Sequence, residues 1–158
     1  MRARELAAEY PTVTPSDSAM DAARLLAAQG LPGLVVVDGR GRAVAVIPGS
    51  RLLRQIVPAH VRDDPALARV YDERHADRLC AGLADRTVAD LLEDERTPLP
   101  VVDHNATVME IASVMAGSRS PVVAVTDDER RPAEGAVLGV ITAARLLERL
   151  LPPDRRPA

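Results

Sequence analysis

Apolar residues in this chain follow helical spacing in some stretches and strand-like runs in others, and the same succession occurs twice. Ala19, Ala22, Ala23 and Leu26 fall at i, i+3, i+4 and i+7, and Val108, Ile111, Ala112 and Met115 repeat that pattern. Each set predicts one apolar stripe along a helix. Thr107 followed by Glu110 has capping-box spacing, and Ser18 with Asp21 is a weaker form of the same start signal. A short β-rich run follows each helix, Leu34 to Val37 and Val122 to Thr126, and leads into Asp and a turn. Second strands are predicted at 43–47 and 136–141, so each pair reads as a β-hairpin. Closing helices are predicted at about 50–57 and 143–151. Extended residues Thr12-Val13 and Val101-Val102 precede the first helices and complete the order β-α-β-β-α twice.

The two copies also align residue by residue. Ser18 to Asp38 matches Thr107 to Asp127 without a gap, and the identical pairs include Met20/Met109, Pro32/Pro121 and Asp38/Asp127. After an insertion in the second copy, Val44 to Leu53 matches Leu138 to Leu147, ending on Arg51-Leu52-Leu53 against Arg145-Leu146-Leu147. This divides the chain into repeat 1 (1–58), a mostly helical connector (59–99), repeat 2 (100–151) and a disordered tail (152–158). The connector's apolar points are Leu67, Val70, Leu79, Leu83, Val88 and Leu91. The fold class is α/β in the α+β sense.

Composition narrows the chemistry. The 158 residues carry 20 basic side chains, all Arg, with two Tyr, no Phe, no Trp and a formal charge of -3. Without Lys there is no Schiff-base enzyme and no P-loop. Without an aromatic platform or a basic surplus there is no general grip on nucleic acid. Nothing reads as a signal peptide or a membrane span, so a soluble, cytoplasmic protein is expected. Cys80 has no disulfide partner and reads as a buried small hydrophobe. His60, His75, Cys80 and His104 have no metal-ligand spacing. Glu93-Asp94-Glu95 reads as a solvated charge run, and no nucleophile-base arrangement is evident. No enzyme is expected.

The order of motifs resembles the CBS-domain family, whose members pair two domains in one chain as a Bateman module. Copy two carries the resemblance best, through Thr107 to Ala112, Ser120-Pro121-Val122-Val123 and Leu138-Gly139-Val140-Ile141-Thr142. Copy one matches with Leu31-Pro32 and Ala45-Val46-Ile47-Pro48. The resemblance spans about residues 1–151. It implies repeats packed about a pseudo-two-fold axis, no catalysis, and clefts between the repeats that bind AMP, ADP, ATP or another adenosine derivative, with no cofactor required. It also implies a homodimer, and a transporter or metabolic enzyme as the partner that reads the bound state.

Carried over by position, the resemblance assigns Thr142 to a ribose-contacting hydroxyl and Arg119, before Ser120-Pro121, to phosphate. The acidic position three residues after Thr142 is Arg145; in copy one the two places are Pro48 and Arg51, and Gly30 stands where Arg119 does. Arg cannot accept a hydrogen bond from ribose. Arg51 and Arg145 near helix starts read as anion ligands, as partners of a nearby carboxylate or as solvated side chains, and Thr142 either as a helix cap or as a ribose contact. The favoured cleft contains Arg119, Thr142 and Arg145. Adenine would lie among aliphatic side chains, Val102, Val122 and Ile141, with Val13, Pro32 and Ile47 the copy-one counterparts. The alternative is a structural or dimerisation module whose degenerate clefts no longer bind nucleotide.

Overall fold

Both apolar stripes form helices, and the runs that follow them form the central strands of two sheets. The computed structural model describes residues 1–154, so residues 155–158 of the tail expected to be disordered lie outside the described residues. In chain order the elements are α1 (Ala3–Leu6), β1 (Thr12–Val13), α2 (Ala19–Gln29), β2 (Gly33–Val37), β3 (Ala43–Pro48), α3 (Gly49–Ile56) and α4 (Ala59–Asp63). Then come α5 (Glu73–Ala81), α6 (Val88–Asp94), β4 (Val101–Asp103), α7 (Val108–Ser118), β5 (Val122–Thr126), β6 (Val137–Thr142) and α8 (Ala143–Leu150). Short 3-10 helices occupy Pro65–Val70, Gly82–Asp85 and Pro132–Glu134. The mixed α/β class is the one the sequence predicts.

The chain packs as two compact units. A first-repeat unit gathers Thr12–Gly39 and Val44–Pro98; a second-repeat unit gathers Met1–Pro11, Arg40–Ala43 and the chain from Leu99. In the first, the sheet order is β1-β2-β3, with β1 parallel to β2. In the second the order is β4-β5-β6; β4 is parallel to β5, and β5 is antiparallel to β6 with Val122 opposite Thr142. All five residues of β2 and all five of β5 are buried. Alternation gives each strand two faces. Val123 and Val125 pack with Ile111, Ile141 and Leu146 in the helix-covered core of the second-repeat unit. Leu34 and Val36 do the same with Ala22, Ile47 and Leu52 in the first.

These units divide the chain differently from the repeats. Residues 1–11 pack with the second repeat, and α6, from the connector, packs with the first. The docking is equivalent on both sides. Ala3 N and Arg4 N donate to Ala106 O and His104 O at 2.9 and 3.0 Å. Val88 N and Ala89 N donate to the aligned Asp17 O and Pro15 O at 2.9 and 2.8 Å. Backbone donors that a helix start leaves without partners are thereby satisfied. Leu6 and Leu91 then enter the two cores, almost fully buried. Farther along, Ala8 exchanges both backbone hydrogen bonds with Val140, at 3.0 and 3.1 Å. Here Gly139 is required, because a Cβ would stand 3.0 Å from Ala7 Cβ and from Ala8 O.

The connector is less apolar in space than its sequence suggests. Leu83, Val88 and Leu91 reach the first-repeat core, but Leu67 and Val70 are exposed. Cys80 is exposed as well, which corrects the expectation of a buried thiol. The reason lies in its helix: α5 is charge-rich and has no buried residue. Among the described residues no helix is long and apolar enough to cross a membrane.

Two capping boxes fix helix starts. Thr107 Oγ1 accepts from Glu110 N at 3.2 Å, and the Glu110 carboxylate accepts from Thr107 N at 2.6 Å. Thr87 and Asp90 repeat the arrangement at 3.3 and 2.8 Å. The Thr107 backbone N–H holds the Glu110 carboxyl below its usual range, and the Thr87 N–H does the same for Asp90. A carboxylate lowered on folding stabilises above its unfolded pKa, about 4, and loses that contribution as pH falls through the folded value. The melting temperature should therefore fall on acidification below about pH 5. In the Glu110→Gln/Asp90→Asn variant that dependence should be shallower. An unchanged acid slope would contradict this role for the caps.

Candidate functional site

The ends of β5 and β6 meet the start of α8, and this corner collects six of the sequence-predicted site residues. Opposite pairing of Val122 with Thr142 places the turn Arg119-Ser120-Pro121 beside the first turn of α8. Pro121 O accepts from Ala143 N at 3.1 Å; in repeat 1 the aligned Pro32 O accepts from Gly49 N at 3.2 Å. The same local geometry thus recurs in both copies.

Within the corner most polar groups are engaged. Ser120 is buried; its hydroxyl donates to Val122 O at 2.7 Å and accepts from Val122 N at 3.3 Å. Thr142 is the N-cap of α8, its Oγ1 accepting from Arg145 N at 3.2 Å. Pro48, in the matching place, gives α3 no side-chain cap. Arg145 Nε donates to Leu6 O at 2.6 Å.

Arg51 makes the equivalent contact in the first-repeat unit. Its Nη1 donates to Glu95 O at 3.4 Å, its Nη2 to Thr97 Oγ1 at 2.5 Å, and the Glu95 carboxylate lies 3.2 Å from Nη2. Glu95 lies six residues ahead of β4, as Leu6 lies six residues ahead of β1. Each arginine therefore ties its helix to the backbone of the segment leading into a first strand. Of the readings open for Arg51, the nearby carboxylate is present.

Arg119 differs from the rest. It is exposed and closes α7 in the left-handed conformation, φ 53 and ψ 29, as Gly30 closes α2 at φ 59 and ψ 40. It is the non-glycine residue at positive φ among the described residues. That conformation costs an L-residue with a Cβ roughly 1–2 kcal/mol. Its guanidinium makes no hydrogen bond or ion pair among the described residues.

The aliphatic residues expected around adenine are split between faces. Val102 and Ile141 belong to the core of the second-repeat unit, and Val122 faces away from that core. The three do not line one surface, because adjacent strand positions point to opposite faces. Val13 and Ile47 are core residues of the first-repeat unit, whereas Pro32 is exposed. Val13 also borders a cavity of about 340 Å³ with Thr12, Asp17 and Asp21. Residues missed by sequence reasoning are Leu6, Glu95 and Thr97, the partners of Arg145 and Arg51. The available signal was the shared spacing Ala3/Leu6 and Val88/Leu91. Among the described residues no group of three or more His, Cys, Asp or Glu is placed to hold a metal ion.

Comparison with known proteins agrees with this architecture. The CBS domain family model matches residues 3–58 and 88–152. A CBS domain-containing protein of unknown function from Kribbella flavida DSM 17836 is 43% identical, with 95% of this chain and 98% of that chain covered and a TM-score of 0.80. CBSX2, a CBS-pair protein of Arabidopsis thaliana, was solved in complex with AMP. It is 22% identical over 94% of this chain and 95% of that chain, with a TM-score of 0.64. The CBS domain pair of protein MJ0100, in complex with 5-methylthioadenosine and S-adenosyl-L-methionine, is 21% identical. There 95% of this chain and 94% of that chain are covered, at a TM-score of 0.59. No curated protein matches the sequence. With both matched segments falling on the two β-α-β-β-α copies, the chain belongs to the CBS-domain family and carries two copies in tandem.

Proposed function

We propose that this chain is a non-catalytic regulatory module that binds an adenosine-containing nucleotide and signals the bound state to a partner protein. The observation that carries the reading is Arg119. A cation with no side-chain partner among the described residues is held at a costly backbone conformation beside the N-terminus of α8, where a phosphate would meet both guanidinium and helix dipole. Strain kept at an exposed position is an argument for function. Relatives solved with AMP and with S-adenosyl-L-methionine support the ligand class. A regulatory role requires that ligand bind two arrangements with different affinity.

A thermal-shift panel with AMP, ADP, ATP and S-adenosylmethionine tests this. A ligand at 100 times its Kd should add about 2.7 kcal/mol, a rise of roughly 5–10 °C for a protein of this size. Arg119→Gly should raise the melting temperature without ligand by roughly 2–4 °C, since glycine relieves the left-handed strain, and should lose most of the nucleotide shift. No shift with any ligand at millimolar concentration would sink the sensor reading.

A specific observation favours a second reading, a structural or dimerisation module. Arg51 and Arg145, at the positions where the family's ribose-binding acid belongs, are both engaged within the fold. Exposed Leu53 on α3 and its counterpart Leu147 on α8 suit self-association. That reading is what a silent nucleotide panel would leave standing.

A further inference from the structure

The first-repeat unit holds a cavity of about 350 Å³ lined mostly by polar groups. Arg51, Arg54 and Gln55 of α3 and Arg62 of α4 face it, opposite Asp94 and Glu95 at the end of α6. Glu95 spans two guanidinium groups: one carboxylate oxygen is 3.2 Å from Arg51 Nη2, the other 3.8 Å from Arg54 Nη1. Asp94 is paired elsewhere, with Arg86 at 3.4 Å. The Arg62 guanidinium makes no hydrogen bond or ion pair among the described residues.

The two members of the Glu95 clamp differ in freedom. Arg51 is held by Thr97 Oγ1 and Glu95 O, and its side chain is only 11% exposed. The Glu95 side chain is 54% exposed and sits at a helix C-terminus, where the macrodipole disfavours an anion. The Arg54–Glu95 pair, 61% and 54% exposed, contributes little to stability, and Arg51 keeps Thr97 Oγ1 and Glu95 O without the carboxylate. Glu95 can therefore leave at small cost, while the arginine cradle stays. A phosphoryl group brings more charge and more acceptor oxygens than one carboxylate, and can use Arg62 as well as Arg51 and Arg54.

We propose that this cavity binds the phosphoryl group of a small anionic ligand, and that Glu95 is its internal competitor, occupying the arginine clamp until the ligand displaces it. The inference extends the sensor reading to a second site, but it does not involve Arg119 and stands or falls separately. It is tested by calorimetric titration of the full chain with inorganic pyrophosphate at fixed ionic strength. Glu95→Gln should bind pyrophosphate at least about tenfold more tightly than the unaltered protein. Glu93→Gln makes the same charge change on the same helix outside the cavity, and should leave the affinity unchanged. Glu95→Gln/Arg54→Gln should lose the gain. If AMP shows the same gain and adenosine none, the phosphoryl group comes from a nucleotide; if only pyrophosphate gains, the ligand is a free phosphate anion. Equal affinity in Glu95→Gln and the unaltered protein would overturn the proposal, and so would an equal gain in Glu93→Gln. A silent Arg119 nucleotide panel with a positive Glu95→Gln result removes the sensor reading of Arg119 alone.

Discussion

Leu6→Ala should destabilise the protein by about 3–4 kcal/mol, the usual cost of emptying a leucine-sized space in a packed core. At this chain length that lowers the melting temperature by roughly 10 °C. The local sequence hints at it only through the Ala3/Leu6 spacing. Leu6 lies at the end of a helix of four residues, far too short to be stable alone. Its side chain is nonetheless fully buried in the second-repeat core, with Ala3 from the same turn and with Ile111, Ile141 and Leu146. The helix is held from outside, by the carbonyls of Ala106 and His104 and by the Ala8–Val140 bridge. Removing the leucine therefore leaves a cavity that a one-turn helix cannot close without giving up those bonds. Urea unfolding measures the effect, and Leu151→Ala, at an exposed apolar position, should change stability by less than about 0.5 kcal/mol. A loss below about 1 kcal/mol for Leu6→Ala would mean that the N-terminal segment is not part of that core.

The sequence legibly specified those parts whose cause is periodic or local. The stripe at Val108, Ile111, Ala112 and Met115 marks a helix because the signal recurs over about two turns, and Thr107 with Glu110 marks its start because both cap bonds span three residues. The Gly30/Arg119 pair carried a clue to the left-handed cap, since glycine in one copy is what such a conformation favours. What stayed hidden depends on long-range partners. The opening helices α1 and α6 are too short for a period, and each packs on the other repeat's strand-helix turn. Arg145 meets a carbonyl 139 positions away, so its role follows from that exchange and not from its own helix. The aliphatic trio failed for a simpler reason: with Val122 opposite Thr142, it is Val123 that lies across from Ile141. Val122 and Ile141 consequently face opposite sides of the sheet.

Leu91→Ala makes the reciprocal case. Read from the repeats alone, residue 91 belongs to the connector, where truncating one leucine should cost almost nothing. In the structure it is 1% exposed and packs with Val88, Leu83 and Ala22 in the core of the first-repeat unit. The expected loss is again about 3–4 kcal/mol. Because proteins open in cooperative pieces, the place where protection disappears matters as much as its size. Amide exchange in β2 and in the Ala45–Ile47 stretch of β3 should accelerate by two to three orders of magnitude, the equivalent of that loss at about 1.4 kcal/mol per factor of ten. If the faster exchange were confined to α5 and α6, α6 would be an appendage on a core complete without it. Acceleration in β2 and β3 means that the first repeat is not a folding unit until the chain has supplied α6, more than thirty residues after the repeat's own last helix. By the same logic residues 1–11 belong to the second-repeat unit, whose core Ala3 and Leu6 complete.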